Sequence, residues 1–216
     1  MGGAWQYFTN NIDFVLQLTM QHIQLVGLAV IIAILIGVPV GIYLTTNEEV
    51  AEAVLQVAAI IMTIPSIALF GIMIPILSVI GQGIGFLPAL IALILYSQLP
   101  IIRNTYVAIN NVDPNMRDAA KGIGMTTWQR LKKVELPIAV PVIMAGVRTA
   151  IVLSIGIGAI AAFIGAGGLG VIIDQGISRT NRDMMLVGAI SVSVLAIVVD
   201  TVLGLVQRWL TPKGIS

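Results

Sequence analysis

AVLQVAAIIMTIPSIALFGIMIPILSVIGQGIGFLPALIALILYSQLPII, residues 53–102, contains no Asp, Glu, Lys or Arg. Water does not host such a run comfortably. About 20 apolar residues cross a hydrocarbon core as one helix with every backbone hydrogen bond made internally, so the stretch is long enough for two crossings. Outward from it, Phe14 to Asn47 and Thr149 to Ile173 are equally free of formal charge. Only 10% of the 216 residues are charged and 58% are hydrophobic, whereas a soluble domain carries about 25% charged residues. The pattern reads as an all-α, polytopic membrane protein. A formal net charge of +1 argues against nucleic acid as a partner, and the lack of cysteine excludes a disulfide framework and a thiolate metal site. The first 21 residues hold no Lys or Arg, so they lack the basic start of a cleaved signal peptide and are read as retained.

Charges, turns and apolar runs together place five spans near 20–44, 53–79, 86–108, 138–164 and 185–207, all within a single transmembrane domain, 1–216. An odd number puts the termini on opposite sides. Seven of the eleven Lys and Arg (Arg103, Arg117, Lys121, Arg130, Lys132, Lys133, Arg148) flank or fill the stretch between spans three and four, and positive loops stay in the cytoplasm. Arg208 and Lys213 then set the C-terminus inside and leave the N-terminus outside. The turn from Thr45 to Glu52 must also be cytoplasmic although it carries Glu48, Glu49 and Glu52, since acids weigh little in this rule.

Within the second span, Thr63-Ile64-Pro65-Ser66 sets two hydroxyls beside a break in the helical ladder, and Pro75 follows. The expected kink is either a broken helix lining a pathway or a packing kink whose hydroxyls satisfy their own backbone. Gly156, Gly158, Ala161, Ala162 and Gly165 in span four allow neighbouring helices to approach closely. Asp200 is an acid inside a span and calls for a structural pairing in the bundle or with a partner; a proton relay is the rival reading, and no chain of ionisable groups accompanies it. His22 has no second histidine with which to hold a metal or haem, and is read as an interfacial hydrogen-bonding residue near the outer end of span one.

Val112 to Pro137 is too long and too patterned to be a plain connector. Asp113-Pro114 reads as an N-cap followed by proline at the first helical position, opening a short helix through Lys121 that Gly122 and Gly124 end. Thr126 with Gln129 reads as a capping box for a second short helix through Trp128, Arg130, Leu131 and Lys133, expected to stop at Leu136-Pro137. Met125, Trp128 and Leu131 among basic residues suggest a surface that docks on another protein, or an amphipathic loop resting on anionic lipid.

Asp118-Ala119-Ala120, three residues, Gly124, nine residues, Val134, one residue and Leu136-Pro137 resembles the signature loop of permease subunits in binding-protein-dependent ABC importers, with Asp118 for the usual glutamate and Val134 for isoleucine. The resemblance implies a type I importer permease fold in which this loop, about 112–137, is a coupling helix seated on a cytoplasmic ATPase subunit. It would place Asp118, Ala119, Ala120, Gly122, Gly124, Leu136 and Pro137 in the coupling loop. Thr63-Ile64-Pro65-Ser66, Leu99 to Thr105, Val134-Glu135-Leu136-Pro137 and Ile164 to Gly170 are similar to permeases for glycine betaine, choline and carnitine. Similar stretches occur in permeases for methionine and other amino acids, which is the alternative substrate class.

Gly165 to Gly170 lacks the lysine and Ser/Thr pair of a phosphate-binding loop and reads as a tight turn near the outer face. The chain has no recognisable ATP site, so it is not read as an enzyme. By the resemblance, ATP and Mg belong to two partner ATPase subunits. A second permease, identical or paralogous, an extracytoplasmic binding protein and membrane lipid complete the expected partners, in the cytoplasmic membrane of a prokaryote. A quaternary ammonium substrate calls for aromatic faces: Phe70, Tyr96 and Phe163 are candidates, with Ser66, Gln98 and Asn104 as polar companions in the translocation pathway. Asp174, Arg179, Arg182 and Asp183, in the outer loop before span five, are candidate docking charges for the binding protein. A secondary transporter would show paired half-repeats and coupled ionisable groups in its spans, and neither is evident.

Overall fold

The structure, a computed structural model, describes residues 2–211. Lys213, used above for orientation, lies outside the described residues. The described chain is helical, with no strand. A short helix α1 (Gly2–Asn10) leads into α2 (Ile12–Leu44), followed by α3 (Glu48–Thr63), α4 (Ser66–Ser78) and α5 (Phe86–Asn110). The loop helices α6 (Pro114–Gly122) and α7 (Thr127–Arg130) precede α8 (Leu136–Ile160), α9 (Gly170–Ser178) and α10 (Arg182–Leu210). Among the described residues four stretches are long and apolar enough to cross a membrane, namely Ile12–Leu44, Phe86–Asn110, Thr127–Ile164 and Arg182–Leu210, and α3 with α4 makes a fifth if the bent pair is one span.

The expected second span, 53–79, is not a gently kinked helix. It divides into α3 and α4, inclined at 100° to one another. Proline disfavours helical geometry in the residue before it, and Ile64 (ψ 127°) and Pro65 (ψ 136°) are both extended, which turns the chain between the two segments. Each piece, 16 and 13 residues, reaches only about 20–24 Å at 1.5 Å per residue, short of a ~30 Å hydrocarbon core. Thr63 Oγ1 donates to its own helix at Ile60 O, 2.7 Å away, whereas the carbonyl of Ile64, at the break, takes its donor from across the bundle, the hydroxyl of Tyr96 on α5.

Helices α2, α5 and α8 form the centre. Lipid tails are as apolar as leucine, so close van der Waals packing rather than exclusion of water joins helices here. Small residues set that closeness: a Cβ on Gly41 of α2 would lie 2.6 Å from Thr105 Cβ, and one on Gly146 of α8 would lie 2.6 Å from Asn104 Cβ. Of the small residues expected at contacts in span four, Gly158 approaches Val26 and His22, and Ala161 and Ala162 are buried, while Gly156 has open space beside it. Around these contacts pack Leu25, Ala29, Ala33, Ala89, Leu93, Ala150 and Ile155. Helix α10 lies at the periphery, with Ile190, Val194, Ile197, Val202 and Leu205 exposed, a face suited to lipid or another membrane chain.

The acids after span one have a local cause. Asn47 caps α3, its side chain accepting from Val50 N at 3.1 Å, so Glu48 and Glu49 sit in the first turn, where the helix dipole favours negative charge.

Candidate functional site

The connection from α5 to α8 is a helix, a glycine turn and a helix. Asp113 caps α6, accepting from Asn115 N at 2.8 Å, with Pro114 opening the helix. Gly124 takes φ +81° and ends the turn. The capping box is complete: Gln129 N donates to Thr126 Oγ1 at 3.3 Å and Thr126 N to Gln129 Oε1 at 2.9 Å. Beyond Arg130 the helix does not stop at Leu136-Pro137 as the sequence suggests. Residues Leu131–Glu135 form a π turn that runs directly into α8, with Leu136 N reaching back to Leu131 O. The widened turn accommodates a proline that has no N–H to give and whose ring would crowd the preceding turn, and Pro137 falls in the first turn of α8.

Most of this loop is open. Asp118, Ala119, Gly122 and Gly124 are exposed, a Cβ at either glycine would meet nothing within 4 Å, and Ala120 is the buried residue of α6. Trp128 is exposed as expected, and Ile123 and Met116, which sequence reading passed over, join it as exposed apolar side chains. Leu131 is corrected: with Leu136 it packs inward on Ala108, Ile109, Ala139 and Ile143.

Beneath the exposed surface lies a polar clamp that the sequence reading did not find. Glu135 is 5% exposed. Its Oε1 accepts from Arg130 Nε at 2.8 Å and stands 3.3 Å from Arg117 Nε, off the line of a hydrogen bond. Another guanidinium nitrogen of Arg117 donates to the carbonyl of Ile109 near the end of α5.

Elsewhere in the bundle the lone polar residues find structural partners. His22 is fully buried; its Nε2 lies 3.1 Å from Ile155 O and its Nδ1 accepts from Leu169 N at 3.3 Å, so Nε2 carries the proton. Gln21 Oε1 accepts from Gly168 N at 3.2 Å. Together they fasten the 165–170 turn, where Gly165, Gly167 and Gly168 all have positive φ. Asp200 pairs with Arg148 of α8 through two hydrogen bonds of 2.9 Å, and Arg148 Nη1 also donates to Gln207 Oε1 at 2.9 Å. No group of His, Asp and Glu suited to a metal ion occurs among the described residues.

The candidate pathway residues are scattered. Phe70 and Tyr96 are buried in one core cluster, and Ser66, half-buried, opens α4 at the break. Gln98 lies on α5 with a buried Oε1 that has no donor, Asn104 donates to Pro100 O at 2.8 Å, and Phe163 is exposed on the short 3-10 turn (Ala161–Ile164) after α8. Arg179 and Arg182 are exposed and Asp174 and Asp183 half-buried, at the end of the bundle that α8 reaches as it leaves the α6–α7 loop.

The chain is thus a bundle of apolar helices that carries a capped, exposed helical loop between two crossings. The chain shares its fold with a chain of the MetNI methionine ABC transporter in inward-facing conformations (TM-score 0.82, 22% identity, 93% of this chain and 98% of that one). A crystal structure of an amino acid ABC transporter with histidines is similar to it at TM-score 0.77 and 21% identity, covering 94% and 97% of the two chains. Residues 33–213 match the family described as binding-protein-dependent transport system inner membrane component, and the chain belongs to that family. It is 53% identical over 209 residues, 97% of each chain, to the osmoprotectant import permease protein OsmW of Salmonella typhimurium. It is 42% identical over 198 residues to the glycine betaine/carnitine/choline transport system permease protein OpuCB of Bacillus subtilis, covering 92% of this chain and 89% of that one.

Proposed function

We propose that this chain is the permease subunit of an ATP-driven ABC importer that moves a quaternary-amine osmoprotectant of the glycine betaine, carnitine or choline class across the cytoplasmic membrane. The observation that carries the reading is the exposed α6 loop, in which Asp118, Ala119 and Gly124 stand free of the bundle around the buried Ala120, with apolar Met116, Ile123 and Trp128 beside them. The substrate class rests on relatives that align over nearly the whole chain and whose names specify osmoprotectants.

ATP is hydrolysed by two partner ATPase subunits, which hold the nucleotide and Mg. They grip the loop bearing Asp118, Ala119, Ala120, Gly122, Gly124, Leu136 and Pro137, and their closure moves a pair of permeases between inward and outward openings. The loop and the C-terminus face the cytoplasm and the N-terminus faces outward, in keeping with the seven basic residues around the loop. An extracytoplasmic binding protein delivers substrate to the opposite end, at Asp174, Arg179, Arg182 and Asp183. The pathway takes in the α3–α4 break, where Ser66 and Phe70 lie and Tyr96 of α5 reaches the Ile64 carbonyl, with Gln98, Asn104 and Phe163 as further candidates along the bundle. Aromatic faces there attract a quaternary ammonium without an anionic partner.

Gly124→Leu tests the loop. A Cβ meets open space there, so the cost is left-handed backbone strain of about 1–2 kcal/mol in an exposed turn, and membrane insertion is retained. Transport is expected to uncouple from hydrolysis; unchanged uptake removes the coupling role.

A further inference from the structure

We infer that Glu135 is the positioning residue that links movement of α6 to α8, an inference that rests on the coupling-loop reading above. Helix α6 has little apolar hold on the bundle, since Ala120 is its buried residue and it packs chiefly on α7 and the π turn. A partner that pushes on α6 therefore moves the membrane helices through the chain itself and through whatever polar contacts bridge it to them. Those contacts converge on one carboxylate oxygen. Glu135 Oε1 meets Arg130 of α7 at 2.8 Å and Arg117 of α6 at 3.3 Å, and Arg117 in turn holds the Ile109 carbonyl of α5.

The local backbone is built for this. The π turn inserts one residue into the helix entering α8, and such an insertion rotates the preceding chain by about 100° relative to an unbroken α-helix. Lys132 and Lys133 stay exposed while Glu135 turns inward among the arginines. A buried carboxylate needs its partners, and removing it leaves two guanidinium groups facing each other. The clamp consequently fixes α5, α6, α7 and the base of α8 as one rigid lever.

The test uses the full importer in proteoliposomes, with its ATPase, second permease and binding protein, and reads glycine betaine taken up per ATP hydrolysed. Glu135→Gln is expected to lower that ratio about tenfold, within the usual range of coupling between sites, in a complex that still co-purifies with its ATPase. Glu135→Asp, which keeps the charge, is expected to restore part of it, a rescue that lost folding would not give. An unchanged ratio in Glu135→Gln overturns the inference. If that variant does not assemble, Arg130→Gln gives the same reading: a fallen ratio supports the clamp and a wild-type ratio refutes it. Gly124→Leu is run alongside. Uncoupling by Gly124→Leu without any effect of the clamp variants refutes only the role of Glu135, whereas full coupling in all of them refutes the coupling-loop reading as well.

Discussion

The lock between His22 and the 165–170 turn yields a prediction with a worked magnitude. Gly168 has φ +78°, and a Cβ added there would lie 2.9 Å from His22 Nδ1, the atom that accepts from Leu169 N. Gly168→Ala therefore incurs left-handed strain of about 1–2 kcal/mol. It also displaces the imidazole and loses a hydrogen bond worth about 1 kcal/mol, for a total of roughly 2–3 kcal/mol. On the scale for domains of this size the midpoint of thermal unfolding falls by about 5–10 °C. In a His22→Ala background the clash and the hydrogen bond are already gone, so Gly168→Ala then costs only the backbone term. The double-mutant cycle, measured by thermal unfolding of the purified chain in detergent, is expected to show coupling of about 1 kcal/mol. Additive effects, within the ~0.3 kcal/mol typical of independent sites, would refute the lock.

Three further outcomes follow from the packing. Tyr96→Phe strips the Ile64 carbonyl of its donor and is expected to cost about 1–3 kcal/mol, with faster amide exchange confined to residues around the α3–α4 break; unaltered exchange there contradicts the contact. Arg148→Met and Asp200→Leu, each leaving one charge of the pair alone among apolar helices, are expected to lower the yield of folded protein singly and to recover it when combined; a double variant no better than the singles argues against the pairing. Reversing Arg179 and Arg182 to Glu is expected to weaken stimulation of ATPase activity by the binding protein at low salt, and undiminished stimulation takes them off the docking surface.

The spans were legible because membrane helices write themselves as gaps in charge, and the expected 86–108 matches α5 within two residues. The loop helices were legible because their caps are local signals: Asp113-Pro114 and Thr126 with Gln129 lie within a few residues of the groups they satisfy. What sequence reading missed depends on rotation and distance. The partner of Asp200 lies 52 positions away on α8, and nothing in the apolar pattern fixes which face of α8 meets α10. Leu131 is grouped with exposed residues on composition alone and Glu135 draws no notice, because nothing local in the sequence signals the π turn that carries the helix on into α8 and decides which side chains turn inward. Pro65 announced a break, but its 100° size follows from two consecutive extended residues, of which only the first is dictated by proline.

The most direct test of the central claim is ATP hydrolysis by the reconstituted importer with its binding protein, challenged with glycine betaine, carnitine, choline and methionine in turn. Stimulation by one or more of the quaternary amines, with methionine inert, is the predicted result; stimulation by methionine alone would contradict the osmoprotectant assignment while leaving the importer fold in place.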